Sequence, residues 1–129
     1  MPRLTASAPM ILVTAVRAAA VYWRDKLGFD YKEIYGHPVA DFCIVHRDGQ
    51  YLMLAHTDDP AKVQPIWQRR EKTSDAYFWC DDADALHAEM AGRGATIDYG
   101  PCTQPYGVRE FGIQTPDGHD ISFGQVLGK

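Results

Sequence analysis

The sequence predicts an α+β fold in which two βαβββ modules make up a single domain spanning residues 1–129. Three observations predict it. The first is the stretch QPYGVREFGIQTPDGHDISFGQ at residues 104–125. Val108, Glu110, Gly112 and Gln114 alternate there with Arg109, Phe111, Ile113 and Thr115. After Pro116-Asp117-Gly118, the residues Asp120, Ser122 and Gly124 alternate with Ile121 and Phe123. A period of two marks half-buried strands, and Pro-Asp-Gly is a turn: Pro presets φ, Asp bonds the backbone ahead and Gly accepts positive φ. The second observation is that the order strand, helix, three strands occurs twice. The third is register. Asp48-Gly49 recurs as Asp117-Gly118 at an offset of 69 residues, Val13 and Cys80 at 67, and Gly28 and Gly94 at 66. Loop insertions account for so small a drift, and self-similarity of this kind is the mark of a repeated unit. Module 1 covers about residues 8–57, the linker 58–73 and module 2 74–127.

Taken in order, residues 10–16 read as a strand and 17–27 as a helix. Val21, Tyr22, Trp23 and Leu27 give that helix an apolar side, and Gly28 suits its C-terminal cap. Residues 29–35, 39–46 and 51–56 read as strands, with turns at 36–38 and 47–49. Residues 58–72 are polar and contain Pro60 and Pro65, which makes them the boundary between halves, with a short helical turn at 66–70. Residues 76–80 form the next strand. Asp81 or Asp82 caps a helix over 83–93, with Leu86 and Met90 one turn apart on one face. Gly94 ends that helix, 95–99 is a strand, 100–107 is a loop, and the final hairpin follows. His119, just past the turn, is expected to face solvent, and Asp117 to serve the turn alone.

Composition narrows the function. The chain is 46% hydrophobic and 23% charged, which is ordinary for a soluble globular domain. Net charge is −4 and Lys and Arg form no stripe, which argues against nucleic acid as a partner. The three cysteines, Cys43, Cys80 and Cys102, are odd in number and lack CxxC spacing, so they predict a reducing compartment, the cytoplasm. Arg3 and the apolar run at 10–16 only faintly imitate a signal peptide, because Arg17 closes the run. No apolar stretch approaches the roughly 20 residues that span a membrane. The five histidines show no metal-ligand spacing, and neither a nucleophile elbow nor a phosphate loop is present.

The segments VYWRDKLGF, CDDADALHAEMAGRGATI and YGVREFGIQTPDGHDISFGQ together resemble the vicinal-oxygen-chelate superfamily of glyoxalases, extradiol dioxygenases and bleomycin-resistance proteins. The resemblance covers nearly the whole chain. It implies paired modules, each curling into half a barrel, with a ligand cleft between them. In the family's enzymes four side chains hold a divalent metal, one from the first and one from the last strand of each module. Carried over, these positions are Ala8, Met53, Asp75 and Ser122. Alanine offers no ligand, methionine prefers soft ions and serine is weak and neutral, so no metal and no cofactor is expected. The resemblance therefore points to the bleomycin-resistance-type binding proteins, and it implies a homodimer.

The expected role is metal-independent sequestration of a small aromatic or cationic molecule. Aromatic residues concentrate in module 2 and the linker, and an acidic group beside aromatic faces suits a planar or cationic ligand. Strand alternation puts Asp75, Tyr77 and Trp79 on one face and Phe78 on the other. Arg109 and Glu110 point to opposite faces, one as an internal anchor and the other as a ligand contact. The candidate cleft residues are Met53, Trp67, Asp75, Tyr77, Trp79, Tyr106, Arg109, Glu110 and Ser122, with 106–107 as a covering loop. The alternative is a metal-dependent lyase or dioxygenase with an atypical site drawing on His56, Asp75 or Glu110.

Overall fold

A computed structural model describes residues 2–69 and 73–128. Its elements run β1 (Met10–Val13), α1 (Val16–Leu27), β2 (Ile34–Tyr35), β3 (Phe42–Arg47) and β4 (Gln50–His56). They continue with β5 (Ala76–Trp79), α2 (Ala83–Gly92), β6 (Ile97–Gln104), β7 (Val108–Gln114) and β8 (Asp120–Val126). Two four-stranded mixed sheets result, ordered β1-β4-β3-β2 and β5-β8-β7-β6. The identical order is the repeat seen in sequence. Met10 pairs with Met53 in the first sheet as Tyr77 pairs with Ser122 in the second. Each module is thus the strand, helix, three-strand unit expected.

The helices form where their caps allow. Gly28 adopts the left-handed conformation, φ 77°, and its N–H closes on Trp23 O. Of the two aspartates that could start α2, Asp82 does so by accepting from Ala85 N at 3.0 Å. Trp23 and Leu27 of α1 bury against Cys43, Val45, Leu52 and Leu54 of β3 and β4. Met90 of α2 buries with Phe111, Ile113, Ile121 and Phe123 of β7 and β8. Phe29 and Phe78 meet edge to face at 5.7 Å and Phe78 stacks on Phe123, so the two half-cores join into one. Arg47 adds a polar clasp between modules. Its guanidinium takes both Glu89 oxygens at 2.8 and 2.9 Å and donates to Leu27 O at 2.7 Å.

Several elements differ from expectation. Residues 29–35 yield only the two-residue β2 and an isolated bridge between Asp30 and His46. β6 reaches Gln104, through most of the expected loop, because it stays hydrogen-bonded to β7 across two register shifts. Pro60–Lys62 and Ile66–Gln68 form short 3₁₀ turns in the linker. The end of the predicted helical turn, and residues 70–72 generally, lie outside the described residues.

The C-terminal hairpin turn is not a free tip. His119 is 1% exposed, contrary to the expectation of a solvent-facing residue. Its backbone N–H donates to Thr115 Oγ1 at 3.1 Å, and its ring Nδ1 lies 3.3 Å from the same oxygen. The turn folds back because other segments hold it down. Trp67 Nε1 donates to Gly118 O at 2.6 Å, and Thr14 Oγ1 donates to Asp117 at 3.2 Å. Asp117 therefore bridges modules as well as shaping the turn. Burial holds the His119 imidazole below its usual pKa.

Candidate functional site

Each sheet turns one face to a helix and leaves the other open. On β7 and β8, Arg109, Phe111, Ile113, Ile121, Phe123 and Gln125 take the helix side, while Glu110, Gly112, Gln114, Asp120, Ser122 and Gly124 take the open side. A cavity of about 920 Å³ lies on this open face. Its walls include Trp67 of the linker and Tyr77, Tyr99 and Tyr106 of the second sheet and its turn.

Glu110 is the centre of the cavity floor. It is 5% exposed, and donors fill its oxygens. Tyr77 and Tyr106 donate to Oε1 at 2.9 and 2.7 Å. Tyr99 donates to Oε2 at 2.8 Å, and the Gln104 amide reaches the same oxygen at 3.5 Å. A buried carboxylate needs such partners, since an unpaired one costs several kcal/mol. The Tyr99 hydroxyl also lies 3.0 Å from Ser122 Oγ. Its own proton goes to Glu110, so Ser122 acts as donor in that contact.

Desolvation, reinforced by Glu110, raises the pKa of Tyr77 well above the ordinary phenol value. Tyr99 is raised by desolvation, with Ser122 opposing and Glu110 reinforcing. The same two causes push Tyr106 up to about 12. The three phenols are therefore donors at neutral pH, poorly suited to act as bases.

Two glycines make this floor possible. Gly112 pairs with Ser122 and Gly124 with Glu110 across the β7–β8 ladder. A Cβ on Gly112 would strike the Tyr99 ring, and one on Gly124 would strike the Tyr77 hydroxyl. Bare backbone at both positions lets the phenols lie against the sheet and reach Glu110.

At the cavity's other end, Asp98 and Asp120 share a hydrogen bond. Desolvation first, then Asp98, pushes Asp120 up to about 6. Gln114 Nε2 donates to Asp120 at 3.4 Å. No Lys, Arg or His appears among the described lining residues, which carry the acidic groups Asp98, Glu110 and Asp120.

Of the candidates named from sequence, Trp67, Tyr77, Tyr106, Glu110 and Ser122 come together in this cavity. The other four do not line it. Met53 lies on the first sheet, opposite Met10, and the cavity is built by module 2 and the linker instead of between the two modules of one chain. Asp75 is drawn under the linker, where it accepts from Ile66 N at 3.2 Å. Trp79 packs on Tyr77 at 4.8 Å, is 63% exposed, and borders a separate, smaller cavity. Arg109 points to the helix side, where it pairs with Asp84 at 3.1 Å and donates to Thr103 at 3.2 Å. Glu110 is thus the member of the Arg-Glu pair that faces the cavity. β5 is the parallel neighbour of β8 in the second sheet, so Tyr77 lies beside the hairpin.

Tyr99, Asp98, Asp120, Gln104 and Gln114 went unnoticed in sequence. The signal for Asp120 and Gln114 was there, since Gln114 shares the period-two face of Glu110 and Asp120 that of Ser122. Tyr99 was hidden by a bulge. Ile97 pairs with Ile113 and Tyr99 with Gly112, which breaks period-two counting along β6.

The donor set does not fit a divalent metal ion. Among the described residues no three His, Cys, Asp or Glu side chains come together in a way that could hold one. Glu110's oxygens are taken by phenols, and His56 pairs with Asp58 at 2.7 Å on the first sheet.

Two modules of like strand order, a helix behind each sheet and a cavity on an open face define a fold of the glyoxalase type. The family model described as Glyoxalase/Bleomycin resistance protein/Dioxygenase superfamily matches residues 6–123, and the chain belongs to that superfamily. No curated protein matches the sequence. Among solved structures, the chain is similar to the bleomycin-binding protein of bleomycin-producing Streptomyces verticillus, solved with copper(II)-bleomycin. The two are 25% identical over 100% of both chains, with a TM-score of 0.70. It is also similar to TnmS3, an antibiotic binding protein from a Streptomyces species, at 22% identity over 98% of both chains and a TM-score of 0.70. TioX from a Micromonospora species matches at 18% identity over 95% of this chain and 99% of that one, with a TM-score of 0.74. The last two likenesses show the fold alone. Among the described residues no helix is long and apolar enough to cross a membrane.

Proposed function

We propose that this protein binds and sequesters a small aromatic or cationic molecule in the cytoplasm, without metal and without making or breaking bonds. The observation that carries the reading is the cavity of about 920 Å³, walled by four aromatic side chains and carrying acidic groups with no base among its described lining. Aromatic walls supply stacking and cation–π attraction, and Asp98 and Asp120 supply charge. The likeness to the bleomycin-binding protein of Streptomyces verticillus supports a ligand of antibiotic type. A metal-dependent lyase or dioxygenase is the lesser reading, since the donor positions are filled by Ser122, Met53 and a phenol-saturated Glu110.

The reading includes a homodimer. The open face of the first sheet leaves Met10 59% and Tyr51 40% exposed. A second copy would cover that face and set its Met53 strand opposite the Glu110 cavity, which is how module 1 would contribute to the site. Light scattering on the eluting protein reads the dimer directly. Titration of Trp fluorescence with a panel of cationic and planar antibiotics, checked by native mass spectrometry, tests the ligand. Saturable quenching by at least one compound is expected. No binding across the panel, or stoichiometric metal in protein purified without chelator, overturns the reading.

A further inference from the structure

Of the three phenols on Glu110, one differs in how it is held. Tyr99 and Tyr77 are seated on the bare backbone of Gly112 and Gly124, in strands β6 and β5. Tyr106 belongs to no strand. It sits in the turn between β6 and β7, where Gly107 N donates to Gln104 O at 3.0 Å. Gly107 has φ 79° and nothing within 4 Å of where a Cβ would stand. Tyr106 is 66% exposed, yet its hydroxyl is 2.7 Å from the buried Oε1 of Glu110. Among the described residues a single side-chain hydrogen bond thus holds a mostly exposed side chain over the carboxylate at the floor of the cavity.

We propose that Tyr106 holds the place of the ligand's own donor: an aromatic molecule bearing an ammonium, amidinium or amide N–H takes over Oε1 of Glu110 as Tyr106 turns outward. The inference rests on the small-molecule-binding reading and gives that site a selectivity. The exchange is favoured for cationic donors, because a cation adds Coulombic attraction to the buried carboxylate that the neutral Tyr106 phenol lacks. Tyr77 stays on Oε1 and Tyr99 on Oε2, so the carboxylate remains aimed while one position is exchanged. The exchange moves no proton: the phenol leaves protonated and the ligand arrives with its own hydrogen. A ligand of the same shape without an N–H gains nothing from it and meets Tyr106 still in place.

The test compares wild type with Tyr106→Phe by calorimetric titration, using 2-naphthamidine and the similarly sized neutral ketone 2-acetonaphthone. Removing the competing hydroxyl is expected to tighten amidine binding about fivefold to tenfold, the worth of one hydrogen bond, and to leave ketone binding unchanged. Glu110→Gln is expected to abolish the preference for amidine over ketone. Carbon-13 labelling of the tyrosine rings adds a readout that does not depend on affinity. The Tyr106 resonance, recognised by its loss in Tyr106→Phe, should move on adding amidine and stay on adding ketone. Amidine binding that weakens or stays the same in Tyr106→Phe, or a Tyr106 resonance indifferent to amidine, overturns the proposal while leaving sequestration standing. Failure of both probes to bind either protein at millimolar concentration counts against the binding reading itself.

Discussion

Tyr99 lies on Gly112. The ring occupies the space that any Cβ at that position would need, and from there its hydroxyl reaches Glu110 at 2.8 Å. Tyr77 stands in the same relation to Gly124, with its hydroxyl 2.9 Å from the same carboxylate. The shape of the cavity floor is therefore set by two missing side chains as much as by the phenols and the acid that are present.

Gly112→Ala should cost about 1–3 kcal/mol, the usual range for overpacking, because a rigid ring cannot bend away from a new methyl. Gly92→Ala is the matched control. Nothing lies within 4 Å of a Cβ there and the position is at the end of α2, so that change should be neutral or stabilise by up to about 1 kcal/mol. Chemical denaturation of the two variants measures the difference. A Gly112→Ala protein as stable as wild type would mean that Tyr99 is not held on the sheet.

The phenol cluster should be visible in a spectrophotometric titration. Tyr77, Tyr99 and Tyr106 all have folded-state pKa values raised from 10.0, Tyr106 to about 12. A raised value means that the folded state holds the proton more tightly than the unfolded chain. Their contribution to stability is intact below about pH 10 and is lost as pH rises through the folded values, about 12 for Tyr106. At about pH 11, absorbance at 295 nm should show less phenolate in folded protein than in protein unfolded by guanidinium. Tyr106→Phe should lack the step near 12. Equal phenolate in folded and unfolded protein would remove the hydrogen-bonded cluster.

The Asp98–Asp120 pair should make stability depend on mildly acidic pH. Asp120 is raised from 3.8 to about 6, so the folded state prefers it protonated. That stabilisation is complete below 3.8 and is lost as pH rises through about 6. Asn mimics the protonated carboxyl. Asp120→Asn should therefore raise the melting temperature by about 2–5 °C at pH 8 and by less at pH 5. Calorimetric melting of both proteins across that range decides it, and a gain that is the same at both ends would mean that the fold does not raise the Asp120 carboxyl.

The Arg47 clasp should resist conservative replacement. Its forked guanidinium spans both oxygens of Glu89 and the carbonyl of Leu27, with 24% of the side chain exposed. Lysine has no fork and can keep only part of this. Arg47→Lys and Arg47→Ala should both lose about 1–2 kcal/mol, with the lysine variant recovering less than half of the alanine deficit. Urea denaturation of the two variants checks the order, and full rescue by lysine would reduce the clasp to simple charge attraction.

Much of the fold was legible because it rests on short-range rules. Alternation through Val108–Gln114 and Asp120–Val126, the Pro-Asp-Gly turn and the glycine cap at Gly28 each act within a few residues. The recurrence of Asp48-Gly49 as Asp117-Gly118 then ties the halves together without any knowledge of contacts. Alternation put Arg109 and Glu110 on opposite faces of β7, and the resemblance singled out Ser122 on β8; the pairing of the two strands places Glu110 and Ser122 on the same face, away from α2.

The rest depended on contacts between distant segments. Two adjacent charges, Arg109 and Glu110, are separated by which sheet face carries a helix, and α2 brings Asp84 to Arg109 while the bulge in β6 brings Tyr99 to Glu110. His119 looked exposed because a turn normally is, but Trp67 and Thr14, 51 and 103 residues from their partners, hold that turn against the body of the protein. Local sequence determined the two modules and most of their strands, and narrowed the site to the Arg109-Glu110 pair, because φ preference and side-chain period are properties of a few neighbouring residues. Which aromatic rings surround that acid depended on strand pairing and on a bulge, and which histidine is buried depended on contacts spanning 51 and 103 residues of chain, where no local period reaches.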